Sequence, residues 1–411
     1  MTALYITWLE IKKALLSPII FVLLLAMIAF NIFSIVSNSY HKKDLHIVND
    51  IVETYGPTFN DEILQTMEQD LLKKVQQLGG VDTQLYLEEI SSEKYEQASF
   101  EEQQLIDEIS LKFTYVQEAK GLEERYRKID LNKEKAAFFQ LQTMPSWLEQ
   151  MMLKEFNDWE RRFHEIVVTN EYKQWFFLSD YKMHSKLFRT LMKTMAIEGV
   201  LLVVLITVLI TNYEFEQRTQ LVTYATKKGR KLILHKGTAS LIASLSVISL
   251  IFVGTLATYF SIYDYSAVWQ TSISSGLNWE SKLPYITWWN LSLWQYTLLA
   301  VGILTMVLVV VVMLTFTLGL LVKNSYYTWL ICVMLLITMY VVPSFFSNGV
   351  IQLLTNFNIT LLLLNPHYYF NGGTTFMMMK YHEVWTILLW LFIASISISI
   401  AIRYFNRKDV V

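Results

Sequence analysis

Long apolar runs free of Asp, Glu, Lys and Arg constrain this chain more than any other feature. The longest uncharged stretch covers residues 324 to 379. At 1.5 Å of rise per residue, about 20 apolar residues cross the ~30 Å hydrocarbon layer of a bilayer as a helix. Six runs meet that requirement: 15–37, 188–212, 237–263, 291–322, 326–346 and 384–402; all are free of charge except the second, whose outer end carries Arg189, Lys193 and Glu198 before a clean core from Gly199 to Ile210. Of the 411 residues, 53% are hydrophobic and 17% charged, where soluble domains carry about a quarter. The expected fold class is therefore an all-α polytopic membrane protein with six transmembrane helices.

Charge orients the spans. Residues 213–236 lie between the second and third runs. With their flanks they hold Arg218, Lys227, Lys228, Arg230, Lys231 and Lys236 against Glu214 and Glu216. Short basic loops remain on the cytoplasmic side. Lys12 and Lys13 before the first run, and Arg403, Arg407 and Lys408 in the 403–411 tail, place both termini there as well. The expected location is the cell membrane. Residues 1–14 read as an amphipathic helix lying in the membrane interface, with Leu4, Tyr5, Trp8 and Ile11 near one face and Glu10, Lys12 and Lys13 off it.

Residues 38–187 then fall outside the cell. They carry 18 Lys and Arg against 28 Asp and Glu, a net charge of −10. Apolar residues recur at helical spacing, as in Ile63, Met67, Leu71, Leu72, Val75 and Leu78, and again in Leu105, Ile109, Phe113 and Val116. Pro57, Gly79-Gly80 and Pro145 interrupt the pattern. The expectation is an extracellular domain of four or five helices whose charges form a solvated surface; a surface that receives a cationic partner is the alternative.

In the second run, Glu198 is the one strong intramembrane ionisable candidate, paired with Lys193 or with another span. The third run is rich in Ser, Thr, Ala and Gly, which permit close helix approach, and Gly302 and Gly319 mark possible contacts in the fourth. In the 264–290 loop, Trp269, Trp279, Trp288 and Trp289 suit an interfacial belt. Residues 347–379 are broken by Asn, Gly and Pro, including Asn365, Pro366, Gly372 and Gly373. With the basic loop and the tail on one side, an even number of crossings separates them, so this stretch reads as a re-entrant outer hairpin, a full crossing being the alternative.

Several function classes find no support. GxxxxGK[ST], GxGxxG after a strand, HExxH and GxSxG patterns are missing, and the seven histidines do not fall at metal-ligand spacing. Cys332 stands alone, which forbids an internal disulfide. The chain is not expected to be an enzyme, to bind a cofactor itself or to contact nucleic acid.

The order of these parts resembles the permease subunits of ABC-2 (type-2) ABC exporters. The resemblance rests on MTALYITWLEIKKALLSP, on six spans with both ends inside, on YEFEQRTQLVTYATKKGRKLILHKGTAS, on the small-residue third span and on NPHYYFNGG before the last. In the family the first cytoplasmic loop is a coupling helix that docks on the ATPase. Glu214 or Glu216, Thr219, Leu221, Arg230 and Lys236 match it in kind; Arg218 replaces the usual Gly, and Lys227-Lys228 the usual Pro. The resemblance implies an ABC ATP-binding subunit as partner, a second permease chain in a homo- or heterodimer, contact with membrane lipid, and ATP and Mg held by the partner. Docking would use Glu214, Phe215, Glu216, Thr219, Leu221, Val222, Tyr224 and Arg230. The implied function is ATP-driven export of an amphiphile such as an antimicrobial peptide, lipid-like molecule or drug. A complex that senses or removes an extracellular ligand for resistance, and an ATPase-independent scaffold or channel, are the alternatives.

Overall fold

The computed structural model describes residues 3–141, 143–175, 185–225, 227–275, 284–346, 349–372 and 379–407. The described residues are 81% helical and contain no strand. Six helices are long and apolar enough to cross a membrane, the architecture of a multi-pass membrane protein.

Helix α1 (Ala3–Leu15) is separated from α2 (Pro18–Ser37) by a short break, and Pro18 opens α2, where its missing N–H costs nothing. A domain follows: α3 (Lys42–Tyr55), α4 (Asp61–Gln77), α5 (Thr83–Glu89), α6 (Ser92–Gln97), α7 (Phe100–Arg127), α8 (Leu131–Leu141) and α9 (Ser146–Val168). Among the described residues that is seven helices where four or five were expected. Short α5 and α6 carry no apolar repeat long enough to read, but Asp82 and Ser91 cap them through their side chains. Leu64, Met67, Leu71 and Val75 of α4 pack against α7. The buried face of α7 runs through Ile106, Ile109 and Val116, with Leu105 and Phe113 half-buried beside it, and it includes Lys112.

A π-helical turn, Lys186–Leu191, leads into α10 (Met192–Glu216). Helices α11 (Gln220–Tyr224) and α12 (Lys227–Arg230) are short, and α13 (Leu232–Ile262) is long. Then come α14 (Leu293–Val322), α15 (Ser325–Val341), α16 (Gly349–Asn356), α17 (Ile359–Leu364) and α18 (His382–Arg407). Lys323, at φ 57°, and the capping Asn324 make the tight turn between α14 and α15. The 347–379 stretch holds α16 and α17, both too short to cross a bilayer.

Helix α10 is the hub. Of its most apolar stretch 72% is buried, against 17% for α2 and α18 and 11% for α15. It packs on α13, α14 and α15. Lipid tails are as apolar as Leu, so close approach rather than hydrophobic burial holds such helices together. A Cβ on Gly199 of α10 would lie 2.8 Å from Leu308 Cδ1, and one on Gly319 would lie 2.8 Å from Thr211 Cγ2. Gly319 thus marks a contact, while Gly302 meets nothing within 4 Å. Of the four tryptophans expected in a belt, Trp288 is buried, Trp269 and Trp289 are half-buried against the core, and Trp279 lies outside the described residues.

Only Ile20, Asn31 and Ile35 of α2 are buried. Asn31 Nδ2 donates to Glu198 Oε2 (2.7 Å) and Thr255 Oγ1 (3.1 Å), joining α2 to α10 and α13. Glu198 therefore meets another span, not Lys193. Asn31→Leu keeps the volume and removes both bonds. It should lower stability by about 1–2 kcal/mol, read as a lower unfolding midpoint in detergent.

In the helical domain, Lys112 Nζ donates to Asp50 and to Glu108, and Lys74 joins Glu108 at 2.7 Å. Burial pushes the Glu108 carboxyl up, but bonds from Lys112 and Lys74 pull it further down, below the ordinary range. Its folded-state value is depressed, so its contribution is present above the ordinary carboxylate range and is lost as pH falls through the folded value. Acidification below about pH 4 should lower the unfolding midpoint, and Glu108→Gln should shrink that drop.

Candidate functional site: the basal platform

The bundle has two unlike ends. At the domain end sit α3–α9. At the basal end lie α1, α11, α12, the start of α13 and the end of α18.

A buried ionic set ties the basal elements together. Glu10 of α1, Glu214 of α10 and Lys236 of α13 are each at most 4% exposed. Lys236 Nζ donates to Glu214 and to the Ile210 carbonyl (2.5 Å), and lies 3.7 Å from Glu10 Oε2. Lys13 Nζ reaches Glu10 at 2.8 Å and Glu214 at 4.0 Å. Two carboxylates face two ammonium groups, so the set is neutral, and that balance is what makes burial tolerable. The placement corrects the expected amphipathic face of α1. Ile11 turns inward with Glu10 and Ala14, while Leu4, Tyr5 and Trp8 remain exposed.

The same set fixes the loop. Tyr224 OH donates to Glu214 Oε2 (3.1 Å), and Tyr224 is fully buried. Its ring packs on Phe215 and Phe405 at 5.8 and 5.1 Å. Ile233, Phe316, Leu320 and Ala401 complete this small core. Arg230 Nε donates to the Tyr224 carbonyl (3.3 Å), and Arg230 Nη1 donates to the Asn406 carbonyl on α18. Lys323 Nζ lies 5.4 Å from the Phe215 ring centroid. The loop is thereby shorter than the 213–236 expected. Glu214, Phe215 and Glu216 are the last turn of α10, and Lys236 belongs to α13. The pairing of Glu214 with Lys236 lets both helices run on past the apolar runs that mark them in sequence.

The expected docking residues divide accordingly. Glu214 and Tyr224 are buried, Phe215 and Arg230 are half-buried, and all four serve the platform itself. Glu216, Thr219, Leu221 and Val222 face outward, Leu221 at 58% and Val222 at 84% exposure. Phe215, Tyr224, Leu232 and Ile233 of this segment pack within the chain, whereas the α11 pair Leu221 and Val222 and, on α13, Leu234 are exposed. Arg218 sits at φ 54° where α10 ends, the left-handed conformation that glycine adopts most freely. Thr219 N follows by donating to the Glu214 carbonyl (2.9 Å).

The other expected site residues lie far along the bundle. Asn365 Nδ2 donates to the Leu361 carbonyl (2.9 Å). The Pro366 carbonyl accepts from Tyr296 OH (2.7 Å), and Gly372 N donates to the Ile286 carbonyl (3.1 Å). Gly373 lies outside the described residues. Cys332 is buried beside Thr315 Oγ1 (3.2 Å). Among the described residues, no group of three or more His, Cys, Asp or Glu is placed to hold a metal ion. Sequence reading missed Glu10 and Asn31. Asn31 could have been found as the only amide inside the first apolar run; nothing local marks Glu10, whose partners are distant in the chain.

Lys236→Met leaves Glu10 and Glu214 buried without their main counter-charge. It should cost about 3–5 kcal/mol, seen as a large fall in unfolding midpoint, and Lys236→Met with Glu214→Met should recover part of it. Comparison of the chain with protein-family models, with curated proteins and with solved structures finds no match.

Proposed function

We propose that the chain is the permease subunit of an ATP-driven ABC-2-type exporter and that α11 is its docking element for a separate ATP-binding subunit. One observation carries this reading. Leu221 and Val222 are presented outward on a short helix that is fastened from behind by Tyr224, Glu214 and Lys236. An exposed apolar pair on a rigid base is what a groove in a partner can grip, since burial there costs little ordering. Force on α11 passes directly to α10 and α13 through the ionic set, and to α18 through Phe405 and Arg230.

In this reading the basal end is cytoplasmic, α1 lies in the membrane interface with Leu4, Tyr5 and Trp8 toward lipid, and α3–α9 are extracellular in the plasma membrane. Helices α16 and α17 belong to an outer re-entrant hairpin. A second permease chain, like or unlike, completes the unit. ATP and Mg are held by the partner, and this chain is not itself an enzyme. The left-handed Arg218, standing where the family motif carries glycine, also favours the reading. The cargo is an amphiphile: an antimicrobial peptide, a lipid-like molecule or a drug.

A second reading, ligand sensing or removal for resistance, draws on one feature. A cleft of about 940 Å³ opens between α3 and α7, lined by His41, Asp44, Asp50, Lys74, Asp107 and Glu108 among others.

Leu221→Asp and Val222→Asp test the docking. Both side chains are exposed, so the unfolding midpoint should hold. Affinity for a co-purified ATP-binding subunit should fall by about 30-fold or more, the scale of a lost hot spot. Undiminished co-purification would remove the docking claim.

A further inference from the structure

The helical domain meets the domain end of the bundle through polar contacts buried on both sides. Arg162 of α9 and Glu171, just after it, are 6% and 4% exposed. Arg162 Nη2 donates to both Glu171 carboxylate oxygens at 2.9 and 2.7 Å. The pair does not close on itself. Arg162 Nε donates to the Thr287 carbonyl (3.0 Å), and Ser272 Oγ donates to Glu171 Oε1 (2.6 Å). Gln174 adds two more bonds across the joint: its Oε1 accepts from Ser272 N (2.6 Å) and its carbonyl from Ser275 Oγ (2.6 Å). Ser272 and Thr287 belong to the connection between α13 and α14.

That connection is itself fastened onward. Trp288 N donates to the Phe370 carbonyl (2.9 Å), and Phe370 N donates to Glu383 Oε1 in the first turn of α18 (2.7 Å). Phe370 is held at φ 60° between these bonds. Two further contacts bypass the joint. Glu155 Oε2 of α9 accepts from Lys380 N (2.9 Å), and Asn49 Nδ2 of α3 donates to the Asp264 carbonyl just beyond α13 (2.8 Å). Gly372 lies so close to α9 that a Cβ there would stand 2.1 Å from Trp159 Cδ1.

We infer that the helical domain is no hinged flap but one mechanical body with the domain ends of α13, α14 and α18, and that Arg162–Glu171 is the positioning pair of the joint. A hinged domain would meet the bundle through exposed, replaceable contacts. Here the groups are desolvated, and each buried charge draws its hydrogen bonds from both sides, so separating the parts would strand them. A ligand that displaces α9 therefore displaces three spans with it. This inference is independent of the docking reading.

Hydrogen exchange on the full chain in detergent tests it. Arg162→Gln should raise exchange by about tenfold or more both in 169–175 and across the joint in 269–275 and 285–293. Exchange in 216–232 at the basal end should not change. Ser272→Ala, a milder variant that keeps the Arg162–Glu171 pair, should raise exchange on both sides to a smaller extent. If either variant loosens α9 and 169–175 alone, the pair serves only the domain's own fold and the inference falls. ATPase co-purification should survive both variants, which separates this outcome from failure of the docking proposal.

Discussion

Helix α10 is enclosed along most of its length, and α13, α14 and α15 are placed by how closely they can approach it. In lipid, apolar surface gains little by leaving its surroundings, so fit and hydrogen bonding decide which helices touch. Gly199 and Gly319 provide the fit with α14. Asn212 Nδ2, donating to Thr328 Oγ1 at 3.3 Å, ties α10 to α15, and Glu198 ties it through Asn31 to α2. Helices α2, α15 and α18 lie at the periphery with mostly outward faces; α2 is held by Asn31 and α15 by Thr328, while α18 packs along α14.

Polar groups are concentrated at the two ends, and they work differently. At the basal end a neutral set of two carboxylates and two ammonium groups binds three helices and positions a short fourth. Its residues are remote in sequence, with Glu10 and Lys236 on opposite sides of the helical domain. At the domain end an arginine–carboxylate pair is shared with backbone carbonyls and hydroxyls of a connection. In both places the low dielectric that makes charges expensive also makes their pairing specific, so loss of one partner is felt by every element that shares it.

The six spans were legible because length and apolar character suffice to mark them, even where Arg189, Lys193 and Glu198 stand at the outer end of the second. The breaks at Pro57, Gly79-Gly80 and Pro145 were legible because proline and glycine each act locally. The candidate site was legible only in part. Leu221 and Val222 could be named from their type and place, but the same reasoning assigned Tyr224 and Glu214 to the surface. Nothing within a few residues of either reveals Phe405 or Lys236. The apolar repeat of α7 was legible in Ile109 and Val116, but Lys112 reads as solvated until Asp50 and Glu108 come together around it.

The sequence by itself determined that the chain is helical, that six helices are fit to cross a membrane, and that a charged helical domain and a basic loop lie between them. Those properties follow from periodicity and from the backbone's need for internal hydrogen bonds where water is missing. Tertiary structure decided which charges are buried, which loop residues face outward, and that the helical domain is fastened to the bundle rather than tethered. Each of these depends on partners brought together from distant parts of the chain, and no local pattern encodes which partner will arrive.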